Sequence, residues 1–230
     1  PTLIKNKSNV IPVKLDTESI LNIQFGNSDG VIFNDYLNKF KKIKSIKASN
    51  INTNDLNSLL ANHKLIIVSF HMKSDTPCEN MNKKFSDNEK DILKLIDEHD
   101  NKILASFTNP YTLSLLNLKS YNSVIVGFQN NYEFQKTIAL QIFGAKEIKG
   151  NLPVSINETY KEGTGIILKN LNILSYAEPE MVGVDRKKLN KIDSLVNYAI
   201  QNEMTPGAQI LVAKNSKIIY DKSFGRLRYN

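Results

Sequence analysis

Leu65-Ile66-Ile67-Val68-Ser69-Phe70 is apolar at almost every position, with no alternation to separate an inside from an outside. A strand that is apolar on both faces belongs in the middle of a sheet covered on both sides, which is the habit of parallel sheets. Outward from it, Ile20–Gln24 reads as an earlier strand stopped by Gly26, and Ile43–Ala48 as another. Lys102–Phe107 and Ser123–Gly127 read as two later strands. Between them lie helical patterns. Val31, Phe33, Tyr36, Leu37 and Phe40 give helical spacing to residues 29–42, and Thr53 is placed to cap a short helix reaching Leu60. Residues 87–98 carry Ile92, Leu93, Leu95 and Ile96 on one face, a short helix is expected near 111–116, and residues 131–142 are helical again. Strands alternating with helices predict an α/β fold: an open, mostly parallel sheet with helices on both faces, flavodoxin-like.

The last of these helices runs into Phe143-Gly144-Ala145-Lys146-Glu147-Ile148-Lys149-Gly150-Asn151-Leu152-Pro153-Val154-Ser155. Gly144 is placed to end it in a left-handed cap. Gly150 allows a turn, and Pro153, which cannot donate to a ladder, suits the start of an edge strand. A different texture begins near Lys169: residues 168–177 read as irregular, punctuated by Glu178-Pro179-Glu180. Residues 185–201 then form a periodic helix capped by Asp185. Ala208–Lys214 and Lys217–Phe224 flank Asn215-Ser216 as a β-hairpin. One helix and one hairpin bury too little surface to offset their ordering entropy, so this tail reads as the beginning of something larger.

With 30 Lys+Arg against 23 Asp+Glu, the net charge is +7. The densest basic group, Lys39, Lys41, Lys42, Lys44 and Lys47, straddles an expected helix end, where lysine complements the dipole. No nucleic-acid motif accompanies it, so a solvated face is expected and no nucleic-acid partner. The single cysteine, Cys78, excludes an internal disulfide. His63, His71 and His99 are too dispersed for metal-ligand spacing, and neither metal nor cofactor is expected. No apolar run approaches the roughly 20 residues that cross a bilayer. The first residues are too polar for a secretory leader. A chain beginning at Pro1 reads as an excised segment, whose compartment its N-terminus does not disclose.

Two positions stand where a parallel sheet presents its ligand-binding loops: His71, after the central strand, and Asn109, after the next. They are the candidate binding residues. Asp75, Glu79 and Asp87 supply carboxyl groups in or near a polar loop, but glycoside hydrolysis needs two such groups held roughly 5–10 Å apart. Solvated acids are the simpler reading, and no catalytic residue is nominated. Gly163-Thr164-Gly165 lacks the remainder of a phosphate loop. Gly26-Asn27-Ser28-Asp29-Gly30 lacks the dinucleotide spacing, and Asp29 would repel a phosphate, so a capped turn is expected there.

The series Leu140-Gln141-Ile142-Phe143-Gly144-Ala145, Gly150-Asn151-Leu152-Pro153-Val154 and Gly163-Thr164-Gly165 resembles the C-terminal α/β domain of family-3 glycoside hydrolases. So do Asn9-Val10-Ile11-Pro12-Val13, Phe107-Thr108-Asn109-Pro110-Tyr111 and Val124-Ile125-Val126-Gly127-Phe128, in that family's order. In such enzymes the nucleophilic aspartate sits on a preceding (β/α)8 barrel. In the β-N-acetylglucosaminidase type a His–Asp acid/base pair sits there too. β-Glucosidases add a glutamate from the C-terminal domain, and neither Glu79 nor Glu133 stands in an equivalent context, so the resemblance is to the first type.

Farther on, Pro179-Glu180-Met181-Val182-Gly183-Val184-Asp185, Pro206-Gly207-Ala208-Gln209 and Val212-Ala213-Lys214-Asn215 resemble the opening of serine β-lactamase-like hydrolases of the class C and penicillin-binding-protein type. No serine here is followed three residues later by lysine, so that family's nucleophile is missing.

The resemblances imply three segments: residues 1–168 as the family-3 C-terminal-like domain, 169–180 as a linker, and 181–230 as a partial β-lactamase-like domain. They imply an accessory, non-catalytic piece of a bacterial exo-acting glycoside hydrolase with cell-wall or other glycan substrates, in the periplasm or cell envelope. This piece would pack against an upstream barrel and a downstream serine hydrolase. The alternative is a flavodoxin-like ligand-binding or regulatory module, with a ligand near Gly26, His71 and Asn109.

Overall fold

The computed structural model describes residues 1–72, 85–169 and 174–228; Asp75, Cys78 and Glu79 lie outside them. The described residues form two compact units, divided between Leu171 and Asn172.

The first unit is built on six strands: β1 (Thr2–Asn6), β2 (Ile20–Phe25), β3 (Lys44–Lys47), β4 (Leu65–His71), β5 (Lys102–Phe107) and β6 (Ser123–Val126). Their order across the sheet is β1-β6-β5-β4-β2-β3. All neighbours are parallel except β1, which runs antiparallel to β6. Strand β4 is central, and every one of its residues is buried. Alternate residues face opposite ways along a strand. Ile66, Val68 and Phe70 therefore join one core, with Leu21, Ile23, Leu104 and Val124. Leu65 and Ile67 join the other, with Ile20, Ile103 and Ile125.

Helices cover both faces, as the alternation of strands and helices predicts. α1 (Val31–Asn38) and, from farther along the chain, α4 (Tyr132–Ile142) bring Phe33, Leu37, Ile138 and Ile142 to the second core. α2 (Thr53–Ala61) and α3 (Asp87–Asp97) bring Leu56, Ile92 and Ile96 to the first.

Local chemistry sets the helix ends. Ser86 and Glu89 form a capping box at the start of α3, each side chain accepting from the other's backbone N–H. Gly144 ends α4 at φ +71, with its N–H on the Gln141 carbonyl and the Ala145 N–H on the Leu140 carbonyl. That pair of bonds is a Schellman motif, as the glycine's position led one to expect.

Several boundaries differ from the sequence reading. α1 stops at Asn38 rather than Lys42, because the Asn38 side chain takes the Ile43 N–H and donates back to the Asn34 carbonyl. Asn52, not Thr53, caps α2, accepting from the Asp55 N–H at 2.9 Å. The helix near 111–116 is a 3-10 turn, Pro110–Leu115. Pro153 starts no strand: Leu152 exchanges bonds with Thr164 and Gly163, and Ile156 bonds Tyr160, folding this stretch on itself. Only an isolated Ile148–Leu168 bridge is extended pairing there. β1 has no counterpart in the sequence reading.

In the second unit, β7 (Ser175–Tyr176) lies within a stretch expected to be irregular, pairing with β9 (Lys217–Gly225). Asp185 caps α5 (Arg186–Leu189) through the Lys187 N–H. The expected single helix breaks at Asn190, a weak helix former, and resumes as α6 (Lys191–Gln201). β8 (Gly207–Lys214) and β9 form the expected hairpin. Asn215 and Ser216 both have positive φ, the signature of a type I′ turn. The sheet order is β7-β9-β8.

Candidate functional site

The strand order reverses between β2 and β4, since β3 lies to one side and β5 and β6 to the other. Open α/β sheets bind ligands at the carboxyl ends of the strands at such a switch point. His71 is the last residue of β4, and Gly26 follows β2. Gly26 has φ +105, and a Cβ there would stand 2.3 Å from the His71 carbonyl oxygen. Only glycine allows the two strand ends to approach so closely. The same carbonyl accepts the Ser28 N–H at 3.0 Å, which closes the turn leading into α1.

The His71 ring is wholly buried. It stacks on Phe107, with centroids 4.5 Å apart and planes 11° from parallel, and tilts against Phe33. Nδ1 lies 3.0 Å from Asn130 Oδ1, which also accepts from Gln135 Nε2 at 2.8 Å. An oxygen already accepting from Gln135 faces the imidazole as an acceptor, so the ring proton resides on Nδ1. Asn130 and Gln135 both donate to the Asp29 carbonyl, and Gln135 Oε1 takes the Phe33 N–H. The cluster thus ties the end of β4 to the first turns of α1 and α4. It also occupies N–H groups of α1 that an anion would otherwise take: Val31 is held by Asp29 Oδ1 and Phe33 by Gln135.

Nε2 of His71 has no hydrogen-bond partner among the described residues. It faces Gly30, where a Cβ would come within 2.4 Å of it. Burial lowers the imidazole from 6.5 to about 4, while the Asn130 bond and the Asp29 charge oppose the shift. The ring is therefore a buried, neutral group at neutral pH. Asn109 is half-buried and caps the 3-10 turn, accepting the Tyr111 N–H at 3.0 Å. No hydrogen bond joins it to His71 among the described residues. Asn130 and Gln135 were missed in the sequence; the polar run Gln129-Asn130-Asn131 before a helix was the available signal.

At the opposite end of the sheet a cleft of about 530 Å³ is lined by His63, Lys64, Glu98, His99, Asp100 and Asn101, among others. Its two imidazoles are already engaged with backbone carbonyls. His63 Nδ1 donates to the Leu59 carbonyl, and His99 Nε2 donates to that of His63. Lys102, beneath them and only 2% exposed, sends its ammonium to the carbonyls of Asp97 and His99. Its positive charge sits at the C-terminal end of α3, where the helix dipole favours it. Burial lowers the Lys102 ammonium from its usual range. Asp87 is exposed and paired with Lys90 at 2.8 Å. Among the described residues no group of three or more His, Cys, Asp or Glu side chains could hold a metal, and no helix is long and apolar enough to cross a membrane.

No family model matches the chain, and no curated protein matches it in sequence. Solved structures do match in fold. A fungal multi-domain GH3 β-N-acetylglucosaminidase, which has a GCN5-related glucosamine N-acetyltransferase region, aligns with 68% of this chain and 18% of its own, at 18% identity and TM-score 0.54. A GH3 exo-β-xylosidase aligns with 79% of this chain and 32% of its own, at 12% identity and TM-score 0.54. A family-3 β-N-acetylglucosaminidase from Paenibacillus aligns with 68% and 30%, at 13% identity and TM-score 0.51. This chain therefore spans a third or less of each of those chains. Likeness at such identity concerns the fold: an α/β sandwich of the kind found within family-3 glycosidases.

Proposed function

We propose that the first unit is a non-catalytic accessory domain of a family-3 glycoside hydrolase of the β-N-acetylglucosaminidase type. The observation that carries this reading is the likeness of its fold to several family-3 enzymes, combined with the ordered motifs from Asn9 to Gly165. The closed surroundings of His71 support the non-catalytic part, since a buried neutral imidazole facing a glycine offers no acid or base to a glycosidic oxygen. In this reading the domain packs beside a barrel that carries the nucleophile and the acid/base pair, and the parent enzyme removes terminal sugars from bacterial glycans. Residues 181–230 would open a serine β-lactamase-like domain, whose Ser-x-x-Lys nucleophile lies outside this chain.

The test is activity of the purified chain on chromogenic N-acetylglucosaminides and on nitrocefin. Neither should be turned over above background. Adding a separately expressed family-3 barrel of the N-acetylglucosaminidase type should leave the accessory domain bound to it. Turnover that co-purifies with this chain alone would overturn the non-catalytic reading.

A further inference from the structure

We propose that the cleft at the amino ends of β4 and β5 holds a neutral sugar carrying an acetamido group. The cleft of about 530 Å³ between the ends of α2 and α3 continues into a second of about 250 Å³, because Lys64 and Asn101 line both. Together they fall in the size range of small-molecule sites. Both halves are fixed by bonds that owe nothing to a ligand. His99 ties the end of α3 to the end of α2: Nε2–H donates to the His63 carbonyl at 3.1 Å, while Nδ1 accepts the Asn101 N–H at 3.3 Å. In the second half, Asn6 holds the loop by donating to the Ile11 carbonyl at 2.7 Å and accepting the Ile11 N–H at 3.0 Å. The Val13 N–H is held by the Ile142 carbonyl at 2.7 Å. Walls fixed in advance lower the ordering cost of binding.

The lining selects the ligand. With Nδ1–H on the Leu59 carbonyl, the other nitrogen of an uncharged His63 ring is an acceptor. The side chains of Asn57, Lys64, Glu98, Asp100 and Asn101 form no hydrogen bond or ion pair among the described residues. A ligand therefore meets donors (Asn57, Lys64, Asn101) and acceptors (His63, Glu98, Asp100) round one cleft. Hydroxyl groups, each both donor and acceptor, match such a mixture. Lys14 and Lys64 balance Glu98 and Asp100, so the lining carries no net charge to draw in an ion. The second half is different in kind, with Val10, Pro12, Val13 and Leu65 in its wall. Burying one methyl group there is worth roughly fourfold in affinity. An acetamido substituent supplies that methyl, and its amide suits the Asn101 carboxamide at the junction of the halves. The site is argued from the cleft; only its link to the parent's glycan rests on the N-acetylglucosaminidase reading.

The experiment is titration of the isotope-labelled full chain with N,N′-diacetylchitobiose, and separately with cellobiose, which carries hydroxyls in place of the acetamido groups. Amide chemical shifts are the readout. The chitobiose should give saturable shifts at residues 57–64 and 98–101, with half-saturation on the order of 1 mM, as a few solvent-facing hydrogen bonds allow. Cellobiose should bind at least about fourfold more weakly, having no methyl to bury. Asn101→Ala should weaken the chitobiose about fivefold with an unchanged circular dichroism spectrum. Asn57→Ala, on the exposed side of α2, repeats that test should Asn101→Ala fail to fold. The absence of saturable shifts, shifts confined to other residues, equal affinity for the two sugars, or folded variants that bind like wild type would each overturn the proposal. A chain that fails here yet still binds a separately expressed family-3 barrel would lose this site and keep its reading as an accessory domain.

Discussion

Lowering the pH from 7.5 to 5 should destabilise the first unit through one side chain, His71. An imidazole at about 4 in the folded chain and near 6.5 in the unfolded one binds its proton preferentially when unfolded. Above 6.5 both states are neutral and the folded state keeps its full stability. Between 6.5 and 4 the unfolded state gains a proton that the folded state refuses, so stability is lost as pH falls. Below 4 the loss is complete. The whole displacement corresponds to about 3 kcal/mol, of which about 2 kcal/mol is lost by pH 5.

The physical cause is specific. Nδ1–H is fixed on Asn130, the ring stacks on Phe107 and tilts against Phe33, and a second proton on Nε2 would point at Gly30 without an acceptor among the described residues. His71→Phe removes both the titrating group and the unpaired nitrogen, and Asn130 Oδ1 keeps its bond from Gln135. His71→Gln removes the titration while keeping a donor. Urea unfolding followed by far-ultraviolet circular dichroism at a series of pH values measures the slope, which matters more here than either variant's absolute stability. Wild type should lose about 2 kcal/mol more than both variants between pH 7.5 and 5. Parallel curves for all three proteins would refute the account of His71 as a buried neutral ring.

Gly144→Ala places a Cβ on a left-handed residue at the end of α4, and should lower the urea midpoint by an amount equivalent to about 1–2 kcal/mol. Lys102→Met leaves the Asp97 and His99 carbonyls without their shared ammonium, and should cost about 2–3 kcal/mol in the same assay. A cost near zero would mean that the buried charge adds nothing beyond its packing. Limited proteolysis at low protein concentration should cut within residues 178–230 before residues 20–160, because α6 and β8 bury no side chains. Early cuts within the six-stranded sheet, with the tail intact, would contradict that order.

Much of this fold can be read directly from the chain. Leu65–Phe70 announces a central parallel strand because a strand buried on both faces has no polar side to show. Asp185, Asn215-Ser216 and Gly144 each carry their own local chemistry, and each was found in the expected place. These features depend on neighbours within about five residues, so sequence alone settles them. β1 was hidden because Lys5 interrupts its apolar pattern. Its ammonium reaches the carbonyls of Leu118 and Lys119, more than a hundred residues away, while a register shift between Leu3 and Lys5 absorbs the irregularity. His71 was visible as a strand-end histidine, but its character was not. Asn130 and Gln135 arrive from another helix to fix its proton, and Gly30 closes over the remaining nitrogen. Burial and hydrogen bonds between residues distant in sequence decided the state of that ring, and only the assembled sheet brings those residues together.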